Sequence, residues 1–280
     1  MYQLGEFTLH ILSDGLMRSD VDVLLNGASN RESGQHAPSN SPRRILLAIN
    51  CLLIQSRDKN ILVDAGIGEV FEKRFQDRFQ ITRKISFFEQ LRQLHIQPEA
   101  IHAVILTHLH YDHIGHCTRL NADNELVVAF PNAYFYVQEE EWRVATGPDA
   151  TFTTGYLPEA LLPLERYQRL VVLNGDTEIL PGIRAIKTGG HTTGHQIVLI
   201  SSQGHVACFP GDLAPTSSHL QTNASMKHDV HPNHSMTARE HLIQRAIEEK
   251  WLLLFSHSPN LVAGFLNKQE NKILIHKIMI

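Results

Sequence analysis

Cysteine and long apolar runs are scarce in this sequence, and each absence excludes a class of protein. Only three of the 280 residues are cysteines, and Cys51, Cys117 and Cys208 lie far apart. They do not fit a disulfide framework, and a reducing compartment is favoured. The longest apolar run, Ile45 to Ile54, is interrupted by Asn50 and has about half of the roughly 20 residues that a membrane helix needs. We therefore predict a cytoplasmic protein without membrane association.

Several other signals are missing. Met1 to Leu12 has no basic start followed by an apolar run, so no signal peptide is expected. The formal net charge of −4 provides no basic surface for nucleic acid. No Gly-x-Ser-x-Gly motif of a serine hydrolase is found. Gly66-x-Gly68 has Phe71 where a dinucleotide-binding loop has its third glycine. We therefore expect no nucleic acid or dinucleotide partner, and no serine nucleophile.

What the chain does contain is enough apolar sequence for a large core. Hydrophobic residues make up 42% of it, so we predict one domain over residues 1–280 that needs no disulfides. Ser19 to Arg44 is rich in Asn, Ser, Gly and Pro and has little periodicity, which predicts a long loop. A loop of that length in a compact domain usually has a function or is disordered.

Short strands dominate both halves of the chain, and helices lie between them. This alternation favours two sheets with outer helices, a four-layer α/β arrangement. The predicted strands are Phe7 to Leu12, Ile45 to Ile54, Ile61 to Asp64, Ile101 to Leu106, Tyr134 to Val137, Leu170 to Leu173, Ile183 to Lys187, Gln196 to Ser201, Val206 to Phe209 and Trp251 to Phe255, with Lys272 to Ile280 a last strand or a tail. The predicted helices begin at Ser86, span Glu139 to Ala145, and run from Thr237 to about Lys250; Pro148 to Pro163 is predicted to be a turn-rich connection.

Histidine is the residue in excess, with 18 in the chain. The strongest cluster is His108-x-His110-x-Asp112-His113, directly after the apolar strand Ile101 to Leu106. In an extended loop, residues two apart face the same way, so His108 and His110 can share one metal ion while Asp112 and His113 turn toward a second. Imidazole and carboxylate ligands together suit zinc, iron or manganese.

Three further candidate ligands also follow predicted strands. His191 comes after Thr188-Gly189-Gly190, Asp212 after Pro210-Gly211, and His257 after the strand that begins at Trp251. Each alone would be an ordinary turn or capping residue. Because loops at one edge of a sheet can converge, their repeated placement predicts one metal site.

In this order, the motifs resemble the metallo-β-lactamase fold superfamily. That superfamily has a strand followed by Thr-His-x-His-x-Asp-His, then Gly-His, Gly-Asp and a final His, and Leu62-Val63-Asp64-Ala65-Gly66 is similar to its early Asp-x-Gly turn. The resemblance spans roughly Ile45 to His257. It implies a four-layer αββα sandwich of the metallo-β-lactamase type with two metal ions. By the same resemblance, His108, His110 and His191 hold one ion, Asp112, His113 and His257 hold the other, and Asp212 bridges them.

Within the superfamily, three segments look most like the quorum-quenching N-acyl homoserine lactonase branch. They are Phe130 to Ala133, Glu141-Trp142 and Thr188 to His195. The resemblance implies a hydrolase that opens a lactone or small ester, with N-acyl homoserine lactone as first candidate, through hydroxide bound to two divalent metal ions. Zinc is the expected metal, with iron or manganese as alternatives, and a homodimer is a candidate assembly. Asp112 would also orient the hydroxide or pass its proton to the leaving oxygen.

One position departs from the branch. Some of its lactonases place a tyrosine three residues after the bridging aspartate, where this chain has Pro215. We predict that His219, or a residue of the Ser19 to Arg44 loop, contacts the substrate instead. His116 and His195 are candidates for holding ligands in place. His228, in a polar loop, could line the entrance of the site, but it is interpreted as a solvent-exposed or adventitious metal-binding histidine.

Two alternative functions remain open from the sequence. The same site could hydrolyse a phosphotriester or aryl ester, because the same hydroxide attacks phosphorus as well as carbon. In a different class, the chain could be a non-catalytic metal-binding protein that kept the fold. Turnover of a substrate panel separates these alternatives.

Overall fold

The computed structural model describes residues 1–20, 44–221, 225–270 and 272–280. The strands are β1 (Tyr2–Leu4), β2 (Phe7–Asp20), β3 (Arg44–Gln55), β4 (Asn60–Val63), β5 (Ile101–Ile105), β6 (Thr118–Leu120), β7 (Leu126–Val128), β8 (Tyr134–Gln138), β9 (Leu170–Leu173), β10 (Thr177–Leu180), β11 (Ile183–Lys187), β12 (Gln196–Ser202), β13 (His205–Phe209), β14 (Leu252–Leu254), β15 (Ala263–Gln269) and β16 (Lys272–Lys277). The α-helices are α1 (Glu72–Phe79), α2 (Phe87–Gln93), α3 (Tyr111–Ile114), α4 (Glu139–Ala145), α5 (Pro158–Arg166) and α6 (Pro232–Glu248). None of the described helices is both long and apolar enough to cross a membrane.

Two seven-stranded sheets form the centre of the fold. Their strand orders are β1-β2-β3-β4-β5-β8-β9 and β10-β11-β12-β13-β14-β15-β16, and β6 and β7 pair separately. Strand β3 is apolar on both faces: Leu52 and Ile54 pack in the core between the sheets, whereas Cys51 and Leu53 pack in an outer core. Successive side chains of a strand point to opposite faces, so a continuous apolar run is what a strand buried on both sides requires.

Helices cover the outer face of each sheet. Phe87 and Leu91 of α2 join the outer core of the first sheet, and Leu242 and Ala246 of α6 join that of the second. Ser86 caps α2, since its side chain accepts a hydrogen bond from the backbone N–H of Glu89. The predicted four-layer αββα sandwich is therefore confirmed.

Strand direction explains why distant motifs meet. Strand β5 is parallel to β4 and β8, and β13 is parallel to β14. Strand β11 runs the same way as β13, because each is antiparallel to β12. The segments that follow β5, β11, β13 and β14 carry the motif histidines and Asp212, and they emerge at one edge of the sandwich.

Three of the secondary-structure predictions need correction. Ser19 and Asp20 pair with Ile45 and Arg44, so the ends of the predicted loop Ser19 to Arg44 are strand; its remainder, 21–43, lies outside the described residues. Helix α6 begins at Pro232 rather than at Thr237, because proline at the first position needs no N–H partner.

The predicted connection Pro148 to Pro163 is the third correction. It contains most of α5, which has Pro158 at its start and buries Ala160, Leu161 and Leu164. Those positions form an apolar stripe with helical spacing that the two prolines obscure in the sequence.

Candidate metal centre

The motif after β5 is half extended and half helical. His110 has an extended backbone and directly precedes α3, so Asp112 and His113 lie in that helix. His108 and His110 are two residues apart, and their rings meet, with 3.0 Å between His108 Nε2 and His110 Nδ1. The change of backbone conformation at His110 thus sends the motif's side chains in two directions.

All seven side chains that the sequence analysis singled out lie together. Within each of three groups, the potential ligand atoms lie within 4.8 Å of one another. The groups are His108, His110 and His191; His108, His113 and Asp212; and Asp112, His113 and His257. Chain segments as far apart as His108 and His257 therefore contribute to one cluster.

Asp212 lies between two sets of imidazoles. Its Oδ1 is 3.4 Å from His113 Nε2 and 3.2 Å from His257 Nε2. Its Oδ2 is 3.5 Å from His191 Nε2 and 4.0 Å from His108 Nε2. Each carboxylate oxygen thus faces a different pair of rings, which is the position that a bridging ligand requires.

The distances between the facing ring nitrogens are consistent with a site that binds metal ions. Nδ1 of His110 lies 3.0 Å from Nε2 of His108 and 3.2 Å from Nε2 of His191, and Nε2 of His257 lies 3.3 Å from Nε2 of His113. Facing ring nitrogens at such distances need a proton or a cation between them. Neutral imidazole and carboxylate are ligands of divalent metal ions such as zinc.

Burial and charge divide the histidines into two kinds. Burial, helped by neighbouring imidazoles, holds the pKa of His108 and of His110 well below the usual value. Burial would also lower the pKa of His113 and His257, but the neighbouring carboxylates, Asp212 foremost and Asp112 with it, together outweigh burial and raise both. Burial would raise the pKa of Asp212, yet His257 and His113 hold it well below the usual value. The cluster thus combines two neutral imidazoles with an ionised carboxylate that favours a positive charge at His113 and His257. A bound metal ion supplies that charge by displacing the protons of these rings.

Three of the ligand rings are held from behind by a second hydrogen bond. Asp64 accepts from His113 Nδ1 at 2.8 Å and from the Thr107 backbone N–H at 2.8 Å. Asp229 accepts from His191 Nδ1 at 3.0 Å, and the Ala48 carbonyl from His257 Nδ1 at 2.7 Å. Such partners fix the tautomer and direct the other nitrogen to the metal position. The sequence analysis missed Asp229 and Ala48, because neither residue belongs to a recognisable motif.

The additional histidines singled out in the sequence have different surroundings. His195 Nε2 accepts from the Asp212 backbone N–H at 3.1 Å, and burial lowers the pKa of His195 to about 3, so the ring is a neutral acceptor that positions Asp212. His116 stacks on Phe87, with ring centroids 4.7 Å apart, and lies 3.1 Å from Asp14. His195 therefore supports the cluster directly, whereas His116 supports the turn next to it.

The structure does not support the predicted substrate contact of His219. The ring is buried in a short 3-10 turn, Ser217–Leu220, and its Nδ1 lies 2.8 Å from Thr216 Oγ1. His219 is not among the described residues that line the cavity at the cluster. Pro215, in the position of the branch tyrosine, accepts a hydrogen bond from the His257 backbone N–H at 2.8 Å.

Glu141 ties two ligand-bearing loops together. Its buried carboxylate accepts hydrogen bonds from the backbone N–H of Leu109 at 3.0 Å and of Gly194 at 3.2 Å, and from the Tyr156 hydroxyl at 3.3 Å. Leu109 lies between two motif histidines and Gly194 follows His191. The carboxylate thereby fixes the distance between the two loops.

Asp14 of β2 secures the turn on the opposite side. One carboxylate oxygen accepts from the backbone N–H groups of Ile67 and Gly68, both at 2.9 Å, and the other from Arg83 Nε at 2.9 Å. Burial would raise the pKa of Asp14, but His116 and Arg83 outweigh it and lower the pKa to about 2. Since Gly115 and His116 bond back to this turn, Asp14 braces the segment that carries Asp112 and His113.

Replacing Asp14 with asparagine should destabilise the protein in a pH-dependent way. A carboxyl pKa that folding lowers from 3.8 to about 2 stabilises the folded state by about 2 kcal/mol above pH 3.8. This contribution is lost as the pH falls through the folded pKa. We expect urea unfolding at pH 7 to give a free energy of unfolding about 2 kcal/mol lower for Asp14→Asn than for the wild type. This difference in free energy should shrink from pH 4 toward pH 2. Asp58→Asn, at an exposed turn, is the control; a constant difference at all pH values would contradict the assignment.

A cavity of about 370 Å³ opens over the cluster. We call His110, Asp112, His191, Asp212 and His257 its metal floor. The remaining lining forms the outer wall, which includes Arg18, Asp20, Arg44, Arg78, Phe79, Tyr111, Asp149, Phe152, Met226, His228 and Val230. His228, interpreted from sequence as solvent-exposed, is exposed but lines this wall. A cavity of this size accommodates a small organic molecule.

Comparison with known proteins agrees with this geometry. A family model described as the metallo-beta-lactamase superfamily matches residues 44–257. An N-acyl homoserine lactonase of Bacillus cereus is 30% identical over 168 residues, which is 56% of this chain and 60% of the relative. An N-acyl homoserine lactonase of Bacillus thuringiensis is 26% identical over 241 residues, 79% of this chain and 87% of the relative. The chain thus aligns with less than two thirds of the Bacillus cereus protein.

Solved structures share the fold. A probable metal-dependent hydrolase from Staphylococcus aureus has a TM-score of 0.87 at 25% identity, covering 100% of this chain and 99% of that chain. AidC, described as a dizinc quorum-quenching lactonase in complex with a product, has a TM-score of 0.77 at 19% identity, covering 100% and 97%. Since the family model covers most of the sequence and these folds superpose over its whole length, the chain belongs to the metallo-beta-lactamase superfamily.

Proposed function

We propose that this protein is a metal-dependent hydrolase that opens a lactone or a small ester, with N-acyl homoserine lactone as the first candidate substrate. The observation that carries the proposal is Asp212, whose two oxygens face two separate groups of imidazoles within 4.0 Å. Relatives called N-acyl homoserine lactonase support the substrate class. If the substrate is such a signal lactone, the biological role is quorum quenching.

The residues divide into two proposed ligand sets. One divalent ion would be held by His108, His110 and His191. The other would be held by Asp112, His113 and His257, and Asp212 would be a ligand of both ions. Zinc is the proposed metal, with iron or manganese as alternatives, because the donors are imidazole nitrogens and carboxylate oxygens. Two such ions, when bound, lower the pKa of coordinated water and polarise a substrate carbonyl.

Asp112 is the proposed proton carrier. Its Oδ2 is 3.7 Å from His257 Nε2 and its Oδ1 is 3.9 Å from His113 Nε2. The side chain is only partly buried and lines the cavity. A carboxylate at the border between ligands and cavity can take the proton of the attacking water and deliver it to the leaving alcohol oxygen.

The cavity supports a substrate with an apolar part. Phe79, Tyr111, Phe152, Met226 and Val230 line the outer wall, and the rings of Tyr111 and Phe152 are 5.4 Å apart. An acyl chain against these side chains would orient the scissile carbonyl toward the metal floor by apolar burial.

A substrate panel combined with elemental analysis tests the proposal. Purified protein should contain two divalent ions per chain and should hydrolyse N-acyl homoserine lactones with a higher kcat/KM than aryl esters or phosphotriesters. Preferred turnover of a phosphotriester would replace the lactone assignment. Two bound ions without hydrolysis of any panel member would contradict catalysis and favour a metal-binding protein.

A further inference from the structure

Arg78 is a cation on the outer wall with no acidic partner among the described residues. It lies near the end of α1 and lines the cavity. No carboxylate among the side chains that the structure describes forms an ion pair with it, whereas Arg44, on the same wall, lies 3.5 Å from Asp20. The Arg78 guanidinium is therefore available to a ligand in the cavity.

Aromatic rings hold this cation in place. Its guanidinium carbon is 5.2 Å from the ring centre of Phe79 and 5.8 Å from that of Phe152. Both rings pack on Tyr111, at centroid distances of 5.6 Å and 5.4 Å. A guanidinium stacked on aromatic faces keeps its N–H edges free for hydrogen bonds in the ring plane.

The cation lines the same cavity as the metal floor. Tyr111 directly precedes Asp112 in sequence and packs against both Phe79 and Phe152. Met226, His228 and Val230 line the same cavity as Arg78. Arg78 therefore shares the outer wall with both the aromatic rings and the 225–230 segment. A chain lying against the rings, with its carbonyl at the metal floor, would bring its far end to Arg78.

The other charges of the wall do not cancel this cation. Arg18 also lines the wall, Asp20 is paired with Arg44, and the exposed Asp149 is the remaining carboxylate outside the metal floor among the described lining residues. The two cations without an ion pair thus outnumber the one unpaired carboxylate. Charged guanidinium and carboxylate groups form strong paired hydrogen bonds.

We propose that Arg78 forms an anion subsite, so that the preferred substrates are lactones or esters whose acyl chain carries a carboxylate at its far end. The inference rests on the proposed hydrolase function and deepens it by naming the substrate class. An uncharged acyl chain would still fit the aromatic wall but would leave the guanidinium to water. The anion would contribute to binding and orientation, not to the hydrolytic step.

A matched pair of substrates tests the subsite. One is homoserine lactone with an adipoyl chain, which ends in a carboxylate, and the other has the same chain ending in a primary amide. We expect the wild-type protein to favour the carboxylate by about tenfold in kcat/KM, mainly through KM, and Arg78→Gln to abolish this preference. Arg74→Gln is the control: Arg74 lies one turn earlier in α1, stacks on Phe71 and pairs with Glu159, and it should keep the preference. An equal kcat/KM for the two substrates in the wild type would overturn the proposal.

A binding measurement separates this inference from the proposed function. The ring-opened product, adipoyl homoserine, should bind the metal-loaded wild type about tenfold more tightly than it binds Arg78→Gln, as measured by calorimetry. Equal affinity for the two proteins would overturn the subsite even if lactones are hydrolysed. Tighter binding to the wild type with no hydrolysis of either lactone would retain the subsite and contradict the lactonase proposal. Thermal melting of both variants checks that they fold, which is expected because Arg74 and Arg78 are exposed.

Discussion

Changing Asp212 to asparagine should reduce kcat/KM for lactone hydrolysis by at least about a thousandfold and lower the content of bound metal. Asparagine keeps the shape of the side chain but removes the negative charge and one acceptor oxygen. In the structure, each oxygen faces two imidazoles, with distances from 3.2 Å to 4.0 Å. A side chain with a single acceptor cannot serve both groups. Steady-state kinetics and elemental analysis of the same preparation measure the two effects.

Asp123→Asn is the matched control for this substitution. Asp123 is exposed in the turn between β6 and β7, so the variant loses the same charge far from the cluster. It should keep wild-type turnover and metal content. If the Asp212 variant retained full metal content and more than a tenth of wild-type activity, the assignment of Asp212 as the shared ligand would be wrong.

Removing the metal ions with a chelator should abolish hydrolysis and lower the melting temperature by roughly 5–10 °C. A ligand present at a hundredfold excess over its Kd stabilises the folded state by about 2.7 kcal/mol. The melting temperature of a domain of this length changes by a few degrees for each kcal/mol of stability. The structural reason is the set of facing ring nitrogens, such as His257 Nε2 and His113 Nε2 at 3.3 Å. Without a cation between them, these groups lack a stabilising partner.

Readdition of metal distinguishes the proposed site from nonspecific effects. Zinc or manganese should restore both activity and melting temperature. Calcium should not, because it prefers oxygen ligands over imidazole. Identical melting curves and turnover with and without chelator would show that bound ions contribute to neither stability nor chemistry.

The cluster of seven candidate ligands could be predicted from sequence because its residues follow strands. His108, Asp212 and His257 each come directly after a run of apolar residues, and the four-layer packing brings those strand ends to one edge. The seven clustered side chains therefore coincide with the positions chosen from sequence.

The outer wall and the supporting contacts could not be predicted. Arg78 lies in a polar helix with few apolar positions, His228 lies in a loop without periodicity, and Asp229 reaches His191 from 38 residues away along the chain. Their roles depend on tertiary packing. The prediction for His219 meets the same limit, because distance from Asp212 in sequence gives no information about the direction of a side chain in a 3-10 turn.

The division of the cavity into a metal floor and an outer wall has a consequence for evolution and engineering. The floor residues sit on segments braced by Asp64, Glu141 and Asp14, whereas Arg78, Phe152 and Met226 belong to three other segments that hold no proposed ligand. Mutations in the wall can therefore accumulate without loss of the metal floor. If the proposed function holds, a library restricted to these wall positions would explore new acyl groups while every member keeps the same set of proposed ligands.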